Sequence, residues 1–463
     1  MPRDLVDPPF PVGVPAPPKP LGLWGTFRTA RRNVLELIPA PAYREPILSG
    51  GGMIGLGASR WMMIMAPEWV EHVLKTRARD YPRSDITRRV LKPREGDSLL
   101  TAEWEGWRWQ RRAMAPMFQP RNLDAFAPAM TAAAEAMSAR IGAAADAGET
   151  ADVSAASVAA TFDVITEAAL SGREALDRDA VIRGIDRFIT VAGKLSLLDV
   201  FGAPNWVPRP GRLFAGGRAL DRRIDAIIAA RAANPKAEGE APDLLDLLMS
   251  ARDAETDRAL SPAEQRNNLL SLIVAGHETT ALTIAWTLYL LALDPAAQAR
   301  ARDEAQAALG DRAASAGDLP RLPFLRQTID EALRLYPPAG FLARTAKAED
   351  DIGGHPVRPG DTIMLPVYAM HRHRLLWDAP DSFEPDRFAP DASAGRHRAA
   401  FLPFGAGPKI CIGMGFAVME AQILLATVLA RFAFALPEGF APRPRMILTL
   451  RPEGGMPLRA HRL

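Results

Sequence analysis

Apolar and polar positions follow a helical period along most of the chain. From Glu68 to Phe432 apolar residues recur at three- and four-residue spacing. Ala-rich amphipathic stretches cover roughly 123–145, 151–171, 178–190, 211–233 and 296–309. Two regions depart from that period. Residues 51–65 alternate short apolar runs with glycine, which predicts strands at Met53–Leu56 and Trp61–Met65. Residues 350–372 revert to strand-like runs, Ile352 and then Thr362–Pro366, broken by the turn pairs Gly353-Gly354 and Pro359-Gly360. A Pro-, Asp- and Arg-rich coil spans 376–403, an apolar helix follows Gly413, and short strands close the chain. Strands drawn from both ends predict a mainly α fold with a small β subdomain (α+β). They also argue for one domain over 36–463, with β-rich parts at about 50–66 and 341–370, preceded by a Pro-rich extended segment over 1–35.

One helix stands out. Ser261-Pro262-Ala263-Glu264 combines a Ser cap, Pro at the first helical position and Glu three residues after the cap. The apolar run that follows continues to Asp294, where Pro295 stops it. About 33 residues span on the order of 50 Å at ~1.5 Å each. Residues 269–293 are apolar enough to suggest a membrane span, but His277 and Glu278 lie in it. An acid there costs about 2.5–3.5 kcal/mol on insertion scales, so a buried core helix is expected. No secretory signal is legible before it, and no membrane anchor is expected.

Composition narrows the function. Lys plus Arg is 56 and Asp plus Glu 54, a net charge of +2, which gives no support to nucleic-acid binding. A single cysteine excludes an intrachain disulfide and a Cys-rich zinc site.

Five segments carry candidate chemistry. In the central helix, Ala275-Gly276-His277-Glu278-Thr279-Thr280 places a glycine, an acid and a hydroxyl mid-helix. That pattern fits either a tolerated Gly with Glu278 paired to a distant Arg, or a local distortion that admits a small ligand beside a proton relay. The cysteine lies in Phe404-Gly405-Ala406-Gly407-Pro408-Lys409-Ile410-Cys411-Ile412-Gly413, a glycine-shaped loop leading into a helix. The helix dipole and Lys409 are expected to favour the thiolate, a suitable ligand for a planar iron cofactor. Glu331 and Arg334 share one helix face. Arg387 sits in the Pro-turn Phe383–Phe388. Trp107 and Arg111, four apart on a helix, offer an indole N–H and a guanidinium to a carboxylate.

These five elements, in this order, resemble the cytochromes P-450, the haem-thiolate monooxygenases. The resemblance spans roughly residues 40–460. It implies the P-450 fold, with the long central helix crossing haem b (iron protoporphyrin IX), and Cys411 as axial ligand of the iron. It further implies Trp107, Arg111, Arg344 and Lys409 at the haem propionates and Phe404 shielding the sulfur. Ala275 and Gly276 would flank the oxygen site, Glu278 and Thr279 would relay protons, and Glu331, Arg334 and Arg387 would form a structural triad. Lys409 stands where the family has Arg or His, and cannot offer a bidentate fork. The implied reaction inserts one atom of O2 into a lipophilic substrate, a fatty acid, terpenoid or aromatic, by hydroxylation or epoxidation. The alternative is a peroxide-driven hydroxylase or hydroperoxide isomerase. With no flavin or iron–sulfur region after the haem domain, electrons are expected from a separate ferredoxin- or flavodoxin-type donor and its reductase. That donor would dock on a basic patch of Arg108, Arg112, Arg121 and Lys409. Arg83, Arg88 and Arg89 are expected to form an exposed basic face, the alternative being a cluster that meets a carboxylate at the entrance. Substrate contacts are expected in 83–103, in 178–206 with Leu195, Leu197 and Leu198, and at Ala339-Gly340-Phe341-Leu342. A cytoplasmic monomer is the default expectation.

Overall fold

The computed structural model describes residues 11–50, 60–85, 87–88, 91–92, 96–171, 181–184, 218–237 and 239–463. The strand expected at Met53–Leu56, most of the helix expected over 178–190, Arg89 and the expected contacts Leu195, Leu197 and Leu198 lie outside the described residues.

The central helix runs Pro262–Leu293, 32 residues, with the reciprocal Ser261–Glu264 capping box in place and Pro262 in its first turn. Its middle is apolar on nearly every face because it is packed on several sides. The helices Val153–Leu170 and Met414–Leu429 both lie against it, and Leu269, Ile284, Trp286, Leu288 and Leu290 are fully buried. The helix Pro120–Asp146 packs in turn on both of those helices. Asp152 caps Val153–Leu170 by accepting from the Ser154 and Ala155 N–H groups. Both Val153–Leu170 and Pro262–Leu293 are long and apolar enough to cross a membrane, yet 61% and 72% of their most apolar stretches are buried inside the protein.

A four-stranded sheet is ordered Ile47–Gly50, Trp61–Ile64, Thr362–Leu365, Leu342–Thr345. Trp61–Ile64 runs parallel to Thr362–Leu365, and the outer pairs are antiparallel. A second sheet joins Thr150–Asp152, Pro457–Arg462 and Phe432–Ala435. Strands from both ends therefore close on one body. The Gly353-Gly354 pair turns the hairpin Asp350–Ile352 to His355–Val357, with φ of 61° and 82°.

The N-terminal segment differs from expectation in two respects. It contains a helix, Leu23–Ala30, and its earlier part is bound to the body. The Val12 and Val14 N–H groups donate to the hydroxyls of Tyr289 (3.4 Å) and Tyr368 (3.1 Å), and the Tyr336 hydroxyl donates to the Val12 carbonyl at 2.7 Å.

Candidate functional site

The cysteine loop is built on backbone constraints. Gly407 has φ 71°, and a Cβ there would lie 2.0 Å from the Leu74 carbonyl oxygen, so only glycine permits the loop to lie against the π-helical turn His72–Thr76. The Cys411 N–H donates to the Phe404 carbonyl at 3.0 Å, and Arg111 Nη1 donates to the Ile410 carbonyl at 3.0 Å. Cys411 is accessible to solvent although protein atoms surround it on most sides, so it sits in a recess of the surface. Burial pushes its thiol pKa up, while the Gly413 N–H and the Arg111 charge pull it down. The net direction opposes the expected lowering, and the effective cation is Arg111, not Lys409. Coordination to a metal would supply the missing positive charge, since it deprotonates a thiol outright.

Lys409 lies with its ammonium 5.7 and 5.6 Å from the ring centres of Trp104 and Trp107. Arg83 and Arg344 are brought together by an isolated antiparallel bridge. Burial, reinforced by the neighbouring Arg83 and Arg344 charges, drives the Lys409 pKa down to about 7. Burial drives Arg83 down to about 9, with help from Arg344, and Arg344 down to about 10. Among the described residues none of these three, nor Arg111, is ion-paired to a carboxylate. Arg83 Nη1, Arg88 Nε and Trp104 Nε1 are buried donors without acceptors. Buried cations and orphan donors at one place require an anion. Arg83 was expected on an exposed face and is instead part of this cluster. Arg88 is ion-paired with Asp85 and Glu103.

In the central helix, Ala275 is exposed in the middle of an otherwise buried run, and Thr279, one turn on, is partly exposed. The helix is continuous here, which matches the first of the two readings of this segment, a tolerated Gly with Glu278 paired to a distant Arg, rather than a local distortion. Its carbonyls are nevertheless drawn into side-chain bonds. Ala275 accepts from Thr279 Oγ1 (2.8 Å), Gly276 from Thr280 Oγ1 (3.2 Å), and His277 from Thr161 Oγ1 (2.8 Å) of the neighbouring helix. Gly276 faces that neighbour: a Cβ would come within 3.3 Å of Ile165 Cδ1. Glycine at 276 thus allows close helix packing. Glu278 points to the C-terminal segment, where Arg451 Nε donates to its Oε1 at 2.7 Å and the Thr449 hydroxyl donates to the same oxygen. Neither partner was legible in the sequence.

The three remaining charges meet as a unit. Arg334 Nε and Nη2 bind Glu331 bidentately at 2.6 and 2.8 Å, with both side chains fully buried. Arg387 Nε reaches Glu331 Oε1 at 3.1 Å. The remaining Arg334 donors go to the carbonyls of His371, Pro380 and Ser382. Every proton of the buried guanidinium is thereby used, as burial of a charge demands.

Two further features escaped sequence reasoning. Glu420, on the helix after the cysteine loop, is 1% exposed with Oε1 unpartnered. Burial holds its pKa well above the ordinary carboxylate value, opposed only by the Thr280 hydroxyl. The expected basic docking patch is also reduced. Arg112 is bound to Asp253, and Arg108 lies 3.7 Å from Glu255. Lys409 is partly buried in the cation cluster, which leaves Arg121 as the exposed member with no ion pair among the described residues.

The sequence profile of the Cytochrome P450 family matches residues 51–458. The chain belongs to the cytochrome P450 family. It is 33% identical over 427 residues to the cyclooctatin synthase of Streptomyces melanosporofaciens, covering 91% of this chain and 90% of that one. It is 32% identical to the putative cytochrome P450 132 of Mycobacterium tuberculosis, covering 86% and 87%. Among solved structures, a cytochrome P450 (CYP102L1) superposes with a TM-score of 0.82 at 26% identity, covering 97% of this chain and all of that one. As a P450, the protein is a monooxygenase that uses haem b, O2 and electrons from a redox partner. The residues present fit that cofactor. A lone cysteine in a surface recess offers one soft ligand, and the unpaired cations with the orphan donors match a group that carries two carboxylates.

Proposed function

We propose that this P450 hydroxylates or epoxidises a lipophilic substrate, with Cys411 as the iron ligand and with electrons from a separate ferredoxin- or flavodoxin-type protein in the cytoplasm. The observation that carries this reading is the cluster of buried cations and orphan donors around the cysteine loop, which among the described residues has no carboxylate partner for Arg83, Arg111, Arg344 or Lys409. Arg83, Arg111, Arg344, Lys409 and Trp107 hold the haem propionates. Bound haem supplies activation of O2, one atom of which enters a C–H bond or alkene while the other leaves as water. Phe404, partly buried beside the loop, shields the sulfur from water and tunes its basicity. Thr279 Oγ1 carries a proton that it donates to the Ala275 carbonyl at rest. Released from that carbonyl by a change of rotamer, the hydroxyl becomes free to donate at the oxygen site. Glu278, held by Arg451 and Thr449, delivers replacement protons through water. Phe341 and Leu342, partly buried and apolar, favour an uncharged substrate at that wall.

The test is the absorption spectrum of the reduced protein with carbon monoxide. A strongly red-shifted Soret band shows thiolate-ligated haem, and the single cysteine assigns the ligand. An unshifted band, or no haem after expression with ample haem, overturns the reading. With a thiolate band in hand, spin-state shifts on adding fatty acids, terpenes and aromatics test the substrate class.

A further inference from the structure

His371 is fully buried and lies between the charged triad and the cysteine loop. Its Nδ1 is 3.2 Å from the Arg334 carbonyl oxygen, and its Nε2 is 2.8 Å from the Leu402 backbone nitrogen. A carbonyl can only accept and a backbone N–H can only donate, so the two partners fix the tautomer: Nδ1 carries the proton and Nε2 the lone pair. Burial, with the Arg334 charge, lowers the imidazole pKa to about 3, which keeps the ring neutral. The His371 carbonyl also accepts from Arg334 Nη1 at 2.7 Å, so this residue is bound to Arg334 at both its backbone and its ring. Beyond Leu402 the bonds continue into the loop. The Leu402 carbonyl accepts the Gly405 N–H at 3.0 Å, and the Phe404 carbonyl accepts the Cys411 N–H at 3.0 Å. The ring also lies 5.3 Å from Phe401. The cysteine loop has few regular backbone bonds of its own, and this path ties its first residues to a rigid, fully buried ion pair.

We propose that His371 is a positioning residue for the thiolate loop, acting through acceptance of the Leu402 N–H by Nε2. This rests on Cys411 being the iron ligand. A buried N–H without an acceptor is costly, so the chain moves to pair it. A loop that relaxes to pair that N–H moves Phe404 and Cys411 with it. The neutral ring has no competing proton at Nε2, so the bond persists wherever the protein is folded.

Two substitutions in the haem-loaded full chain separate the two ring nitrogens. His371→Gln places an amide oxygen near the Nε2 position and can accept from Leu402. His371→Asn reaches only the Nδ1 position, can donate to the Arg334 carbonyl, and leaves the Leu402 N–H unpaired. The readout is the fraction of the reduced carbon monoxide complex with the thiolate band and its rate of conversion to the non-thiolate band. The expected result is a wild-type fraction in the Gln variant and a several-fold faster loss in the Asn variant. Retention in both variants, or loss in both, overturns the role assigned to Nε2. Absence of the thiolate band from the wild-type protein would instead overturn the assignment of Cys411. If neither variant takes up haem, nitrogen NMR of the wild-type ring in the diamagnetic carbon monoxide complex decides. A neutral ring protonated at Nδ1 is expected, and a ring protonated at Nε2 overturns the proposal.

Discussion

Arg112 donates to both carboxylate oxygens of Asp253, at 2.6 and 2.7 Å. The Asp253 side chain is fully buried, and Glu255 lies 3.1 Å from the same guanidinium. This pair ties the helix Trp104–Met114 to the turn before the central helix. Arg112 is therefore a structural cation rather than a docking one. Arg112→Glu sets a third acid against two others and is expected to lower the melting temperature. At temperatures where it remains folded, the salt dependence of reduction by an acidic donor should be unchanged. Arg121→Glu is expected to do the reverse, with an unaltered melt and a flatter salt dependence. Stopped-flow reduction over a series of salt concentrations distinguishes them.

Thr279→Ala removes the hydroxyl proposed to relay protons but leaves the helix, because the Thr279 bond to Ala275 only supplements the backbone ladder. Electron consumption should continue while product per electron falls steeply, by up to the roughly 10²–10⁴-fold that loss of general acid–base assistance can cost. The missing electrons should appear as hydrogen peroxide. Thr279→Ser should retain most of the coupling. A peroxide assay beside product quantitation checks both, and unchanged coupling in the Ala variant would remove Thr279 from proton delivery.

Glu420 makes stability depend on pH in an unusual sense. Its folded pKa is raised well above 4.5 by burial, so the folded protein holds a proton that the unfolded chain releases. From the ordinary carboxylate value up to the raised one, stability must fall as pH rises, by up to about 1.4 kcal/mol per pH unit for one proton. Glu420→Gln keeps the shape and the neutral amide, and abolishes this slope. The variant should gain on wild type between pH 5 and pH 8 in denaturant titrations. A constant difference between the two would show that Glu420 is ionised in the fold.

The Glu331–Arg334–Arg387 unit should break unequally. Removing Arg334 leaves a fully buried carboxylate with only Arg387 to balance it, at a cost of about 3–5 kcal/mol. Arg387 is 9% exposed and makes the longer bond to Glu331, so Arg387→Ala should cost less than Arg334→Ala. Soluble yield and thermal melts of the two variants test the order.

The residues legible in the sequence were those whose signal is local. Ser261, Pro262 and Glu264 specify the start of the central helix through contacts within four residues. The Phe404–Gly413 loop was legible because its glycines at 405 and 407 mark local left-handed backbone, although its distant supports at Leu74 and His371 were not. Glu278 was legible as an acid in an apolar helix, but its partners lie some 170 residues away at Thr449 and Arg451, on a segment with no motif of its own. The Arg83–Arg344 pairing and the His371–Leu402 bond were hidden for the same reason, since both depend on strand and loop contacts across the fold. Gly276 illustrates the opposite error. Its motif was legible, but the side it faces, toward Ile165, follows from packing. Arg112 looked like a surface charge because Asp253 is distant in sequence.

The N-terminal segment offers a graded test of how the fold recognises an extended chain. Three tyrosine hydroxyls from three elements bind the backbone at residues 12 and 14, so they recognise main-chain groups rather than side chains. Tyr289 and Tyr336 are themselves fixed by Trp286, which stacks on Tyr336 at 3.9 Å and donates to the Leu450 carbonyl. Flanking prolines hold the segment extended before it docks and so lower the entropy lost on binding. Removing one hydroxyl leaves a backbone group unpaired and should cost about 1 kcal/mol. The bonds differ in length: 2.7 Å for Tyr336, 3.1 Å for Tyr368 and 3.4 Å for Tyr289. Cleavage within residues 11–20 by limited proteolysis should therefore accelerate most in Tyr336→Phe, less in Tyr368→Phe and least in Tyr289→Phe. The open state is reached by local release, so the rate reports the population of undocked segment when reclosing outpaces cleavage. Equal rates in all three variants and wild type would show that apolar packing of Pro11 and Val14, not the hydroxyls, holds the segment in place.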